Sequence, residues 1–100
     1  SSIGNFLINY QNKPNNATNA LSINAAITSW DDGQIAAGIL PSNAEVQGGD
    51  ARLIDTSSRN SDESIAEGKF FVVYKRRIYS SMRYIVLVAE IGQSVVVREA

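Results

Sequence analysis

Residues 69–98, KFFVVYKRRIYSSMRYIVLVAEIGQSVVVR, constrain the fold more than any other part of this chain. β-Branched and aromatic side chains dominate the run; they fit a pleated, half-buried surface, so it reads as paired strands. At strand geometry Phe70, Val72, Tyr74 and Arg76 share one face, and Phe71, Val73 and Lys75 the other. A helical stripe over 78–89 (Ile78, Met82, Ile85, Val86, Ala89) competes. The β-branched run around Leu87 decides for strand, because such residues lose rotamer freedom in a helix. Gly92-Gln93 reads as a two-residue type II′ turn closing a C-terminal hairpin over 84–99. That turn would set Ile91 opposite Ser94, Ala89 opposite Val96, Val88 opposite Val97 and Leu87 opposite Arg98. Both faces are apolar at mid-strand, so each is expected to be covered by a second layer or by a neighbouring subunit.

Upstream, Phe6, Ile8 and Tyr10 alternate with Asn5, Leu7 and Asn9, a strand pattern inside an Asn-rich N-terminal arm, 1–20. Leu21, Ile23, Ala25 and Ile27 alternate with Ser22, Asn24, Ala26 and Thr28, which suggests a second strand. A helix would put Leu21, Asn24, Ala25 and Thr28 together, a poorer apolar stripe. Asp31-Asp32-Gly33 reads as a turn beside Trp30, 34–40 as a short strand or one helical turn stopped by Pro41, and 52–56 as a short strand. Residues 57–64 form a polar loop. The expected fold is mainly β: one domain over 1–100, a small β-sandwich or barrel-like fold of about six to eight strands with room for one short helix.

Charge is partitioned along the chain. Residues 1–30 carry only Lys13 and hold seven Asn; 31–67 carry eight acids against Arg52 and Arg59. The stretch 69–83 carries five cations, Lys69, Lys75, Arg76, Arg77 and Arg83, and no acid. The net charge of −1 exerts no global pull toward nucleic acid. Cysteine and histidine are both absent. This excludes disulfides and thiolate metal sites, and removes the commonest metal ligand and neutral-pH base. The longest apolar run, Ile85 to Ala89, is too short to span a membrane. No basic-then-apolar leader precedes the first strand-like segment.

Few residue patterns point to chemistry. Aromatics interleaved with cations at Lys69, Tyr74, Lys75, Arg76, Arg77, Tyr79 and Arg83 could stack bases and neutralise phosphates, could be solubilising charges that guard a strand edge, or could meet the acidic segment 31–67 of the same chain or of a neighbour in an assembly. Asp31-Asp32-Gly33 and Asp62-Glu63 lack the alternating oxygen spacing of a calcium loop. Serines are plentiful, but without histidine only a Ser–Lys arrangement remains for a nucleophile. Asn16-Ala17-Thr18 matches a glycosylation triplet. Trp30 reads as a core plug, an interface anchor or a sugar-stacking platform.

The segment Trp30-Asp31-Asp32-Gly33-Gln34-Ile35-Ala36-Ala37-Gly38-Ile39-Leu40 resembles part of the lambda-type phage capsid-decoration proteins, in which a Trp-Asp-Gly turn runs into an Ala-Ala-x-Gly-Ile-Leu strand. Asp55-Thr56-Ser57-Ser58-Arg59 is similar to a second short string of that family, though the two pieces stand in the opposite order here. The resemblance implies a small β-rich protein seated on a capsid, often as a trimer, without catalytic residues.

The function expected from the sequence is that of a non-enzymatic structural or assembly protein of a virion, a phage capsid or tail accessory. Its partners would be itself and other structural proteins, and it would need no cofactor, metal or membrane. The interface candidates are Phe6, Ile8, Tyr10, Trp30, Val88, Val95 and Val97. The alternatives are a nucleic-acid-binding module using the basic stretch, and a small adhesin or carbohydrate-binding domain. The expected setting is a virion or extracellular assembly, otherwise the cytoplasm.

Overall fold

The computed structural model describes residues 3–46, 49–79 and 84–100. Helices α1 (Ile3–Leu7) and α2 (Ala17–Ala36) come first, followed by strand β1 (Arg52–Asp55) and the short helix α3 (Asp62–Ala66). Strands β2 (Phe70–Arg77), β3 (Tyr84–Ile91) and β4 (Val95–Glu99) complete the chain. The strands form one four-stranded antiparallel sheet in the order β1-β2-β3-β4. Ile3 and Leu7 of α1 and Ile23 and Ile27 of α2 pack on one sheet face, against Phe70, Val72, Tyr74, Ala89 and Ile91. The fold is therefore mixed α/β, two layers rather than the mainly β sandwich or barrel that the sequence suggested.

The N-terminal third carries most of that correction. Phe6 lies in α1, and Ile8 and Tyr10 lie in a 3-10 turn, Ile8–Tyr10, so the alternation there is not a strand. The second expected strand lies inside α2. Asn16 caps its first turn, its Oδ1 accepting from the Asn19 amide at 2.8 Å. The buried stripe is Ile23, Ile27 and Asp31 at four-residue spacing, with Ala20 and Trp30 packed alongside. Leu21, which had led the strand reading, is 74% exposed. An apolar period of 3.6 hardly shows in the sequence, because the buried stripe includes an acid while Leu21 lies on the exposed side.

Asp31, Asp32 and Gly33 are helical and make no turn. The helix ends instead in a Schellman arrangement: Gly38 NH donates to Ile35 O at 3.0 Å and Ile39 NH to Gln34 O at 2.9 Å. Gly38 takes φ +75°, which favours glycine. Most of the segment resembling a decoration-protein strand, residues 30–36, is thus the last part of this helix.

The C-terminal half matches the strand reading, with one slip. Phe70, Val72, Tyr74 and Arg76 do share the helix-covered face of β2. The β3–β4 loop, however, holds three residues, Gly92, Gln93 and Ser94. Ile91 therefore pairs with Val95, Ala89 with Val97 and Val88 with Arg98. Moving the register by one turns Val96 outward and sends Val95 and Val97 toward the core. In the polar segment 57–64, Asn60 prolongs the ladder beyond β1. It accepts from Phe71 NH at 2.8 Å and donates to Phe71 O at 2.9 Å. Ser61 and Ser64 then cap α3 reciprocally, so the last residues of the expected loop are helical.

Candidate functional site: an open sheet face above a buried ion network

Strand alternation sorts the side chains of β2 between two environments. Inward, Arg76 is 2% exposed and Asp31, reaching from α2, is fully buried. Arg76 Nε lies 2.8 Å from Asp31 Oδ2 as an ion pair, while its two terminal nitrogens donate to Ala51 O at 2.8 Å and Pro41 O at 2.5 Å. Tyr74 donates its hydroxyl proton to the same Asp31 oxygen. Burial first, and then the Asp31 carboxylate, raise the Tyr74 pKa well above the phenol range. Arg52 closes the network from β1, reaching Asp31 Oδ1 at 2.9 Å and Asp32 Oδ1 at 2.5 Å. Partial burial opposes the Arg52 charge, but the two carboxylates outweigh it and raise its pKa. The cluster ties α2, β1, β2 and both flanking loops together. With Asp31 and Arg76 sealed from solvent, its chemistry is that of a structural lock.

The opposite sheet face has no second layer in the described chain. Four cross-strand rows cover it. The first is Phe71, Glu90 and Val96; the second Asp55, Val73, Val88 and Arg98. The third is Leu53, Lys75 and Val86; the fourth Arg77 and Tyr84. Leu53, Tyr84 and Val96 are 48%, 42% and 47% exposed, and Phe71, Val73 and Val86 are half-buried. Only Val88 is covered, at the centre. The Arg77 guanidinium sits 4.8 Å from the centroid of the Tyr84 ring. Asp55 caps the following turn, accepting from the Ser58 side chain and from the Ser58 and Ser57 amides at 3.0 and 2.9 Å. Those bonds hold its pKa down to about 2. At one end of the sheet, Lys13, Glu67, Lys69, Glu90 and Gln93 border an open cleft of about 590 Å³.

The sequence-derived candidates disperse over this frame. The basic stretch is not a single patch. Arg76 is buried with Asp31, Lys69 lies 3.4 Å from Glu67 and 3.5 Å from Glu90, and only Lys75 and Arg77 share the open face. Salt bridging to Glu67 raises the Lys69 pKa. Tyr79 donates to Glu45 Oε2 at 2.5 Å, and Arg83 lies outside the described residues. Among the interface candidates, Val88 lies on the open face, whereas Val95 and Val97 pack on the helix side. Phe6 and Ile8 are 38% and 50% exposed on the N-terminal turns. Tyr10 donates to Ser22 O at 3.1 Å, and Trp30 meets Tyr74 edge-on at 6.1 Å. Sequence reasoning missed Asp31 as the partner of Arg76. The available signal was one acid continuing the Ile23/Ile27 stripe and one arginine continuing the inward period of β2. Among the described residues no cluster of acids, histidines or cysteines is built to hold a metal ion, and no helix there is long and apolar enough to cross a membrane.

Compared with known proteins, the chain matches no family model, no curated protein and no solved structure.

Proposed function

We propose that this chain is a non-enzymatic structural or assembly component working through contacts between subunits, in the form of a phage capsid or tail accessory. One observation carries the reading: on the sheet face opposite the helices Leu53, Phe71, Val73, Tyr84, Val86 and Val96 are half-buried or exposed, interspersed with Asp55, Lys75, Arg77, Glu90 and Arg98. Such a surface on a small soluble domain marks a place where something docks. A strand with apolar residues on both faces is stable when both are covered, and among the described residues only the helix side is. A further support is the outer surface of α2, which carries no charge before Asp31 and leaves Leu21 exposed. The test is light scattering coupled to gel filtration across a wide concentration range, with and without purified capsid or tail particles. Mass above that of one chain, or binding to the particles, supports the proposal. A strictly monomeric species that engages no particle overturns it.

A further inference from the structure

We infer that the occupant of the open sheet face is a second copy of this chain, related by a two-fold axis that runs along the strands between β2 and β3. The inference rests on the assembly reading and specifies its partner and symmetry. Such an axis lays β1 of one copy over β4 of the other, and β2 over β3, with each cross-strand row facing itself reversed. In the row Asp55, Val73, Val88, Arg98 the result is self-complementary: Asp55 faces the second copy's Arg98, Val73 faces Val88, and both contacts occur twice. Asp55 and Arg98 are three strand spacings apart within one copy, about 14 Å, so they have no means of pairing in the monomer. Arg98 is exposed and makes no ion pair among the described residues.

The neighbouring rows agree. Arg77 and Tyr84, already stacked at 4.8 Å, face Tyr84 and Arg77 of the second copy. Lys75 passes over Val86, where its alkyl stem covers apolar surface while the ammonium reaches the rim. Phe71 meets Glu90, whose charge is answered by its own Lys69 at 3.5 Å. Strands about 4.8 Å apart, up to eight residues long, make a face of roughly 20 by 25 Å. Two copies then bury on the order of 1,000 Å², the lower end of what a specific interface needs. Sheets packed this way form the aligned sandwich that the doubly apolar strands call for, with half supplied by each chain.

The experiment uses the whole chain and the absence of native cysteine. Arg98→Glu leaves the folded monomer intact and weakens the dimer by about tenfold or more, because it places two like-charge pairs in the interface. Adding Asp55→Arg to the same chain restores dimerisation. A 1:1 mixture of Asp55→Cys and Arg98→Cys proteins cross-links with a short bismaleimide spanning the roughly 10 Å between packed sheets. Neither protein cross-links strongly alone. An oligomer insensitive to Arg98→Glu, or one that cross-links through Leu21→Cys on α2 and not through 55 and 98, overturns this face while leaving the assembly reading standing. A chain that stays monomeric yet binds particles overturns the dimer alone, and one that does neither overturns both.

Discussion

Asp31 and Arg76, distant in sequence, meet as a fully buried ion pair, with Arg76 Nε 2.8 Å from Asp31 Oδ2. Neither charge tolerates the loss of the other, since an unpaired buried guanidinium keeps its desolvation penalty without compensation. Asp31→Ala is therefore expected to cost about 3–5 kcal/mol in urea unfolding, by the usual cost of breaking a buried pair. Asp31→Asn, which keeps some hydrogen bonding, should cost less. Replacing both groups together, Asp31→Leu with Arg76→Met, should recover much of the loss. If Asp31→Ala unfolds at the wild-type urea midpoint, the network is not the lock described above.

Tyr74 supplies a spectroscopic reporter of the same lock. Its hydroxyl donates to Asp31, and burial together with that carboxylate raises its pKa. Of the four tyrosines, Tyr74 is expected to stay protonated in alkali until the protein unfolds. Ultraviolet difference titration of the wild type should then show a tyrosine ionisation that coincides with loss of structure, a component missing in Tyr74→Phe. Ionisation of all four before any loss of structure would contradict the burial.

Asp55 gives the stability a defined acid dependence. Its folded pKa is depressed to about 2 by the bonds from Ser58 and Ser57. A group depressed on folding stabilises fully above its unfolded value, near 3.9, and that contribution fades as pH falls toward 2. The side chain is partly exposed, so screening limits the effect to below about 1 kcal/mol. Comparing wild type with Asp55→Asn in urea melts of dilute protein at pH 6 and near pH 2 isolates it. The gap between the two should be present at pH 6 and largely gone at the acid end. A gap that is constant or grows in acid would reverse the sign.

How much of this fold was legible followed the location of the deciding information. Strand β2 was readable because its period of two is carried by unambiguous residues, Phe70, Val72 and Tyr74 against Phe71 and Val73. Helix α2 was not, because Leu21, Ile23, Ala25 and Ile27 satisfy a two-residue period by accident. The true stripe of Ile23, Ile27 and Asp31 is recognisable only once Arg76 is known to wait opposite. The open face was half legible: doubly apolar strands implied two coverings, and the described residues supply one. For the basic stretch, contact with the acidic segment 31–67 was legible and is seen as Arg76 with Asp31 and Lys69 with Glu67; that the pleat and the sheet end send Lys69, Lys75 and Arg76 to three surroundings was not.

The cap and terminator of α2 explain why helix prevails over a mediocre pattern, and they carry a prediction. The Asn16 side chain satisfies the Asn19 amide, and Gly38 turns the chain out of the helix at φ +75°. Asn16→Ala should cost about 1 kcal/mol. Gly38→Ala should cost about the same, from the left-handed backbone rather than from any clash, since a Cβ there would meet nothing within 4 Å. Thermal unfolding followed by far-ultraviolet circular dichroism measures both. Additive losses are expected, because the sites stand at opposite ends of the helix.

The one-residue slip in the C-terminal hairpin gives the sharpest test of the sheet. With Ile91 opposite Val95, Val97 points at the core and Val96 at the open face; with Ile91 opposite Ser94 those roles would exchange. A carboxylate placed inward is buried beside Ala89 and Ile91 without a partner, whereas one placed outward stays solvated. Val97→Asp is thus expected to cost about 2 kcal/mol or more, and Val96→Asp under about 0.5 kcal/mol, in dilute protein where each chain unfolds alone. The reverse order would restore the two-residue turn. It would also remove Arg98 from the open face, and with it the contact to Asp55 on which the dimer depends.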